Sequence, residues 1–269
     1  MDKRYRPCLW ACHRPRWWAR RTVLQPIKDD GPRAGDAPMP LLPRRFERLQ
    51  SVLNRRMGDL TVVLEAVDKP HNLSAILRTC DAVGAMEAHV VSLPGRPRTF
   101  NKTAKGSQKW VPLHPHPSIE ACLLGLKAKG FRLYGTHLSV DAVDYRQCDF
   151  TGPTAFLMGA EKWGMSEAAL DLVDQPLFIP MTGMVQSLNV SVAAATLLFE
   201  ALRQRELAGL VPTAGEGVPG GEPEYRRILF EWAYPQVADW CRRQGRPYPE
   251  LSAEGEIIEQ LPRTLKLRY

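Results

Sequence analysis

LTVVLEAVDKPHNLSAILRTCDAV, residues 60–83, changes its hydrophobic period once, and that change decides the architecture. Residues 60–67 form an apolar, β-branched run broken by only one Thr and one Glu, the pattern of a strand covered on both faces. After the polar break Asp68-Lys69-Pro70-His71, apolar residues return at Leu73, Ile76, Leu77 and Cys80, which share one face of a helix. Pro70 is expected to end the strand and Asn72 to cap the helix. Arg78 falls off the apolar stripe, so it faces either a ligand or solvent.

Outward from this unit the alternation continues. Strands at 88–92, 131–136, 154–158 and 177–179 are interleaved with helices at 118–129, 166–173 and 187–205, and a polar loop runs up to Lys109. This order predicts an α/β fold, a mainly parallel sheet with helices on both faces, spanning residues 59–209. Ahead of it, residues 44–56 place Phe46, Leu49, Val52 and Leu53 at helical spacing. A basic helix over 39–58 would then carry Arg44, Arg45, Arg48, Arg55 and Arg56 on its outer faces as candidate RNA contacts. Residues 1–38 hold Trp10, Trp17 and Trp18 among Arg and Pro with no usable period. They read either as a leader preceding a start at Met39 or as a disordered basic tail. Gly/Pro-rich residues 210–223 read as a linker, and 224–269 as a helical appendage that Pro235 kinks or splits.

Composition narrows the function classes. The 269 residues carry a formal charge of +7, and the first 50 hold twelve Lys and Arg against five Asp and Glu, so the basic excess is N-terminal. A basic arm suits a polyanion, because each neutralised phosphate releases counterions; a solvated charge run is the plainer alternative. No stretch approaches the ~18 apolar residues of a membrane span, and the N-terminus lacks the apolar segment of a secretory signal. Six scattered cysteines fit a reduced, cytoplasmic protein. Cys8, Cys12 and His13 have metal-like spacing but no second ligand pair follows, and no HExxH occurs, so no metal is expected. Dinucleotide and P-loop glycine patterns are also missing. A second basic cluster, Arg96, Arg98, Lys102, Lys105 and Lys109, lies in the polar loop and suits a nucleic-acid backbone.

Three blocks place polar residues where predicted strands end, the usual ligand position in open α/β sheets. They are NLSAILRTCDAVG (72–84), FLMGAEKWG (156–164) and IPMTGMVQSLNVSVAAA (179–195). In the second, Gly159 lets a ligand approach the backbone, and Glu161 reads either as an orienting carboxylate or as a turn carboxylate paired with Lys162. In the third, small residues at 193–195 permit close packing of the helix.

In this order and spacing the blocks resemble the SPOUT superfamily, and within it the TrmH (SpoU) type of tRNA ribose methyltransferase, over about half the chain. The resemblance implies a C-terminal deep trefoil knot, S-adenosylmethionine as cofactor, and a homodimer with the site at the subunit interface. It implies 2′-O-methylation of a guanosine at position 18, in the tRNA D-loop, with Arg78 as the catalytic arginine and Asn72 supporting it. Glu161, Ser187 and Asn189 join them as catalytic residues, and Thr136, Gly159, Ile179, Met181 and Leu188 match positions that line the cofactor pocket. Arg78 stays protonated near neutrality, so electrostatic stabilisation of a developing alkoxide suits it better than proton abstraction. Two alternatives stand beside this reading: a related enzyme acting on ribosomal RNA, and a catalytically silent RNA-binding protein of the same fold.

Overall fold

The computed structural model describes residues 41–67, 69–92, 109–160 and 163–259. Residues 1–38, Arg96, Arg98, Lys102 and Lys105 of the polar loop, Glu161 and residues from 260 lie outside the described residues. Seven parallel strands form one sheet: β1 (Leu60–Glu65), β2 (Ala88–Val91), β3 (Leu113–His116), β4 (Arg132–Thr136), β5 (Val143–Asp144), β6 (Thr154–Met158) and β7 (Gln175–Phe178), in the order β3-β2-β1-β6-β4-β7-β5. Strand β1 is buried throughout, as its unbroken apolar run requires. Val62 and Leu64 point to one face, where they meet α2 (Pro70–Val83) and α5 (Val190–Leu207). Val63 points to the other, under α3 (Ile119–Ala128) and α4 (Glu167–Leu170).

Several expectations shift. Pro70 opens α2 instead of merely closing the strand: its missing N–H costs nothing in the first helical turn, and Lys69 takes the cap position. Asn72 therefore sits inside the first turn, buried, and is not a cap. The last long helix begins at Val190, with Asn189 at its N-cap, rather than at Ser187. Strands β3 and β5 were not foreseen. One is a half-exposed edge strand containing Pro115, and the other is only two residues long, so neither has a readable period.

One connection bears directly on the site. Thr136 of β4 and Val143 of β5 are both register partners of Leu177 in β7, from opposite sides. The short segment 137–142 therefore straddles the carboxyl end of β7, pinned by a 3.1 Å hydrogen bond from His137 N–H to the Leu177 carbonyl.

The flanking segments are interleaved. Helix α1 (Pro43–Leu53) buries Phe46, Leu49 and Leu53 and packs against α6 (Gly221–Ala233), which Pro235 separates from α7 (Pro235–Gln244). Residues 210–223, expected to be a linker, instead bury Pro212, Gly215 and Val218. Gly215 N–H bonds to the Asn54 carbonyl at 3.1 Å, and Gly58 N–H to the Gly217 carbonyl at 2.9 Å. A Cβ on Gly217 would lie 2.1 Å from the Arg56 carbonyl oxygen, so glycine here is a packing requirement and not a mark of looseness.

Candidate active site

The carboxyl ends of β4, β6 and β7 open into a cavity of about 250 Å³. Thr136, Gly159, Ile179, Met181 and Leu188, the five residues matched to a cofactor pocket, all line it, together with Ser187, Leu177, Val190 and Ala193. The cavity exists because the three strands end at one level and the 179–189 segment folds back before α5 starts. Its walls are apolar side chains interrupted by backbone of Gly159, Ala160 and Gly164, which offers a flat heterocycle both contact area and polar groups for edge recognition.

Gly159 also meets a packing requirement within the fold. Ala160 and Gly164 exchange two backbone hydrogen bonds, 2.9 and 2.8 Å, which bring the two ends of this turn together. A Cβ on Gly159 would lie 2.3 Å from the Gly164 carbonyl carbon, so the space beside Gly159 is filled by the turn's own backbone. Glu65, at the end of β1, anchors the far side of this turn: its carboxylate accepts from Ser166 Oγ at 2.6 Å and from Ser166 N–H at 3.0 Å. Gly159→Ala must push that backbone apart. It is expected to raise the cofactor KM about tenfold, equivalent to ~1.4 kcal/mol of binding, with the far-ultraviolet circular dichroism intact. An unchanged KM would separate this turn from cofactor binding.

Polar residues of the first and third blocks meet at the amino ends of two adjacent helices. Asn189 Nδ2 donates to Asn72 Oδ1 at 3.2 Å, while Asn189 Oδ1 accepts from Ser191 N–H at 2.8 Å and Ser191 Oγ at 2.6 Å. Asn189 thus caps α5 with one end of its amide and holds α2 with the other, a coupling that spacing alone did not reveal. Ser187 is exposed on the cavity wall, and Arg78 is exposed two turns along α2 from Asn72.

Of the predicted RNA contacts, Arg44, Arg45, Arg48 and Arg55 are exposed. Arg56 is not: it is fully buried, donates to the Ala85 carbonyl at 3.0 Å, pairs with Asp81 and lies over the Trp232 ring at 5.3 Å. Burial lowers its pKa, with Asp81 opposing the shift. It bolts the segment before β1 to α2 and α6, and it falls past the end of α1, where helical spacing no longer assigns faces. Lys109 is exposed, its Nζ 4.8 Å from the centre of the Trp110 ring.

Comparison with known proteins follows this geometry. The SpoU rRNA Methylase family profile matches residues 59–199, and the profile described as SpoU, rRNA methylase, C-terminal matches 203–260. A tRNA (guanosine(18)-2'-O)-methyltransferase of Thermus thermophilus is 57% identical over 189 residues, 70% of this chain and 95% of that protein. The crystal structure of the Aquifex aeolicus TrmH/SpoU tRNA modifying enzyme superposes with a TM-score of 0.65 at 39% identity, covering 72% of this chain and 97% of the other. The SpoU methyltransferase AviRb of Streptomyces viridochromogenes, solved in complex with the cofactor AdoMet, matches at a TM-score of 0.50 and 31% identity, over 56% of this chain and 62% of its own.

Proposed function

The chain belongs to the SpoU methylase family, and from that membership together with the cavity we infer that it is an S-adenosylmethionine-dependent methyltransferase acting on the 2′-hydroxyl of guanosine 18 in the D-loop of tRNA. The observation that carries the reading is the convergence of all five cofactor-matched residues and Ser187 on one cavity. The family name speaks of rRNA. The tRNA enzyme matched above is covered over 95% of its length, and the substrate reading follows it.

The donor set fits the cofactor. Ile179, Leu188 and Val190 give apolar area for an adenine ring, while Thr136 and the backbone at 159–160 give polar edges. Bound S-adenosylmethionine supplies an electrophilic methyl group on a sulfonium, an already activated donor, so the reading gives no metal a part in the transfer. The remaining task falls to the chain: holding a ribose oxygen in line with the methyl–sulfur bond that breaks and favouring loss of its proton to solvent. Arg78 keeps its own proton and donates to the 2′-oxygen as negative charge grows there. Asn72, buried and held by Asn189, fixes the first turn of the helix from which Arg78 projects. Ser187, on the cavity wall, orients the ribose, and Glu161 completes the polar set. Arg44, Arg45, Arg48, Arg55 and Lys109 meet the tRNA backbone, and the sequence assigns Lys102 and Lys105 the same task.

The working unit is a homodimer, and its site lies at the subunit interface. Val192 and Phe199, two turns apart on the outer face of α5, are 49% and 52% exposed, and Leu138, Met184 and Val185 project from the two loops that frame the cavity. A second copy covering these residues would bury an apolar face that water otherwise meets. Phe199→Asp is expected to shift sedimentation from dimer to monomer and to lower methyl transfer with it; a dimeric variant would place the interface elsewhere. The reading also includes a knotted chain path through the 137–142 segment and residence in the cytoplasm. Among the described residues, no helix is long and apolar enough to cross a membrane.

The deciding experiment is methyl transfer from labelled S-adenosylmethionine to an unmodified tRNA transcript, to the same transcript with G18 replaced, and to ribosomal RNA. A 2′-O-methyl group removes the hydroxyl that attacks the neighbouring phosphate in alkali, so label is expected in an alkali-resistant dinucleotide beginning at G18. Label in ribosomal RNA alone would transfer the assignment to that substrate. Cofactor binding with no label anywhere would leave a silent RNA-binding protein.

A further inference from the structure

Away from the cavity, the β2–β3 edge carries an imidazole cluster that methyl transfer does not use. His89 of β2 is buried, and its Nδ1 lies 3.0 Å from Nε2 of His116 on β3. Cys122, buried on α3, comes up beneath them: one ligand atom from each of His89, His116 and Cys122 can be chosen so that all lie within 4.8 Å of one another. The other nitrogen of His89, Nε2, is buried with no hydrogen bond, 3.5 Å from Glu87 Oε1. The second Glu87 oxygen sits 3.0 Å from His114 Nε2.

We propose that His89 Nδ1, His116 Nε2 and Cys122 Sγ form a binding site for one divalent transition-metal ion of the zinc class, with water as fourth ligand. Two imidazoles and a thiolate are a borderline-soft donor set, which suits that ion and not magnesium or calcium. Metal–ligand distances of ~2.0–2.3 Å in a tetrahedron separate the donor atoms by roughly 3.3–3.7 Å, so the three side chains need only small adjustments. Two strands and a helix carry them, which keeps the cluster in place without the ion. Glu87 supplies the outer partner that metal-bound imidazoles usually have. Its carboxylate, 3.5 Å from His89 Nε2, is placed to accept from that nitrogen and so favours the His89 tautomer with its proton on Nε2. The Nδ1 lone pair then faces the site, and a metal there makes Nε2–H a stronger donor to Glu87, giving the orphaned nitrogen its partner.

The protons balance without any redox step. His116 moves its proton from Nε2 to Nδ1, the Cys122 thiol releases one proton to solvent, and three coordinate bonds form. Partly exposed His116 gives the ion a way in. The product is a clip that ties β3, an edge strand with only β2 beside it among the described residues, to α3.

Cobalt(II) titrated into the chelator-treated full chain tests this. One equivalent is expected to produce a thiolate-to-cobalt charge-transfer band. The band should persist in a Cys8→Ser/Cys12→Ser variant, disappear in Cys122→Ala, and be lost or weakened at least tenfold in affinity in His116→Ala. Zinc is expected to raise the Tm of the wild type but not of His116→Ala, whose partly exposed side chain is dispensable for folding. No thiolate band in the wild type, a band abolished by the Cys8/Cys12 changes, or an unaltered band in His116→Ala would each overturn the proposal.

Discussion

Arg78→Lys is expected to slow methyl transfer to tRNA by about a hundredfold or more while S-adenosylmethionine binds as before. Removing one preorganised donor from a developing oxyanion typically costs ~10²–10³ in rate. Lysine keeps the positive charge but offers a single ammonium on a flexible stem in place of a planar fork that reaches two acceptors at once. Arg78 is exposed on α2 and sits outside the cavity lining, so its loss leaves the cofactor walls intact. Single-turnover rates at saturating tRNA, set beside cofactor affinity by calorimetry, separate the two effects. Guanidinium added to Arg78→Ala is expected to restore part of the rate. A loss confined to the tRNA KM would reduce Arg78 to a phosphate grip, and an unchanged rate would remove it from catalysis.

The largest stability effect is expected at Arg205, in the last turn of α5. Its side chain is 1% exposed, yet it bonds to the Phe150 carbonyl at 3.0 Å, the Gly152 carbonyl at 2.7 Å, the Asp59 carbonyl at 3.2 Å and Asp59 Oδ1 at 2.6 Å. One guanidinium thus joins the end of α5 to the segments that enter β1 and β6. Gly152 and Asp59 keep other donors, from Thr154 Oγ1 and Thr154 N–H, so the Phe150 carbonyl suffers most when Arg205 goes. Asp59 is half exposed and rehydrates, so its charge adds little to the loss. Arg205→Ala should cost about 3–5 kcal/mol, from lost hydrogen bonds and the cavity left behind. Arg205→Met fills much of the volume and should cost roughly half as much. Urea unfolding at fixed protein concentration reads both. Equal midpoints for the Met variant and the wild type would show that the hydrogen bonds contribute nothing.

The sheet and its two helical faces were readable because each depends on short-range pattern, an apolar run or a 3.6-residue stripe, whereas the cavity residues came from the resemblance to the TrmH type and not from local pattern. The unreadable features depend on what distant segments do. Composition marked 210–223 as a linker, but those glycines are small so that they can lie against Arg56 and Asn54. Arg56 looked like its exposed neighbour Arg55, and only the distant Asp81, with which it pairs, and the buried Trp232 ring it lies over made it a core residue. Asn72 had the chemistry of a cap, yet Pro70 moved the helix start three residues earlier, and the amide meets Asn189 instead. His89, His116 and Cys122 come from two strands and a helix, so no local spacing could unite them.

The segment that straddles β7 sets an order on the birth of the protein. Among the described residues strand β5 has no sheet partner except β7, which is translated later. At ~5–20 residues per second, a ribosome takes several seconds to make the intervening chain, and during that time 137–144 waits unpaired. Thr136 is translated before this interval and Ile179, Met181, Leu188 and the α5 residues Val190 and Ala193 after it, so the cofactor cavity cannot be complete until β7 and the start of α5 have been made. A nascent chain stalled before β7 would hold most of the sheet and none of the activity.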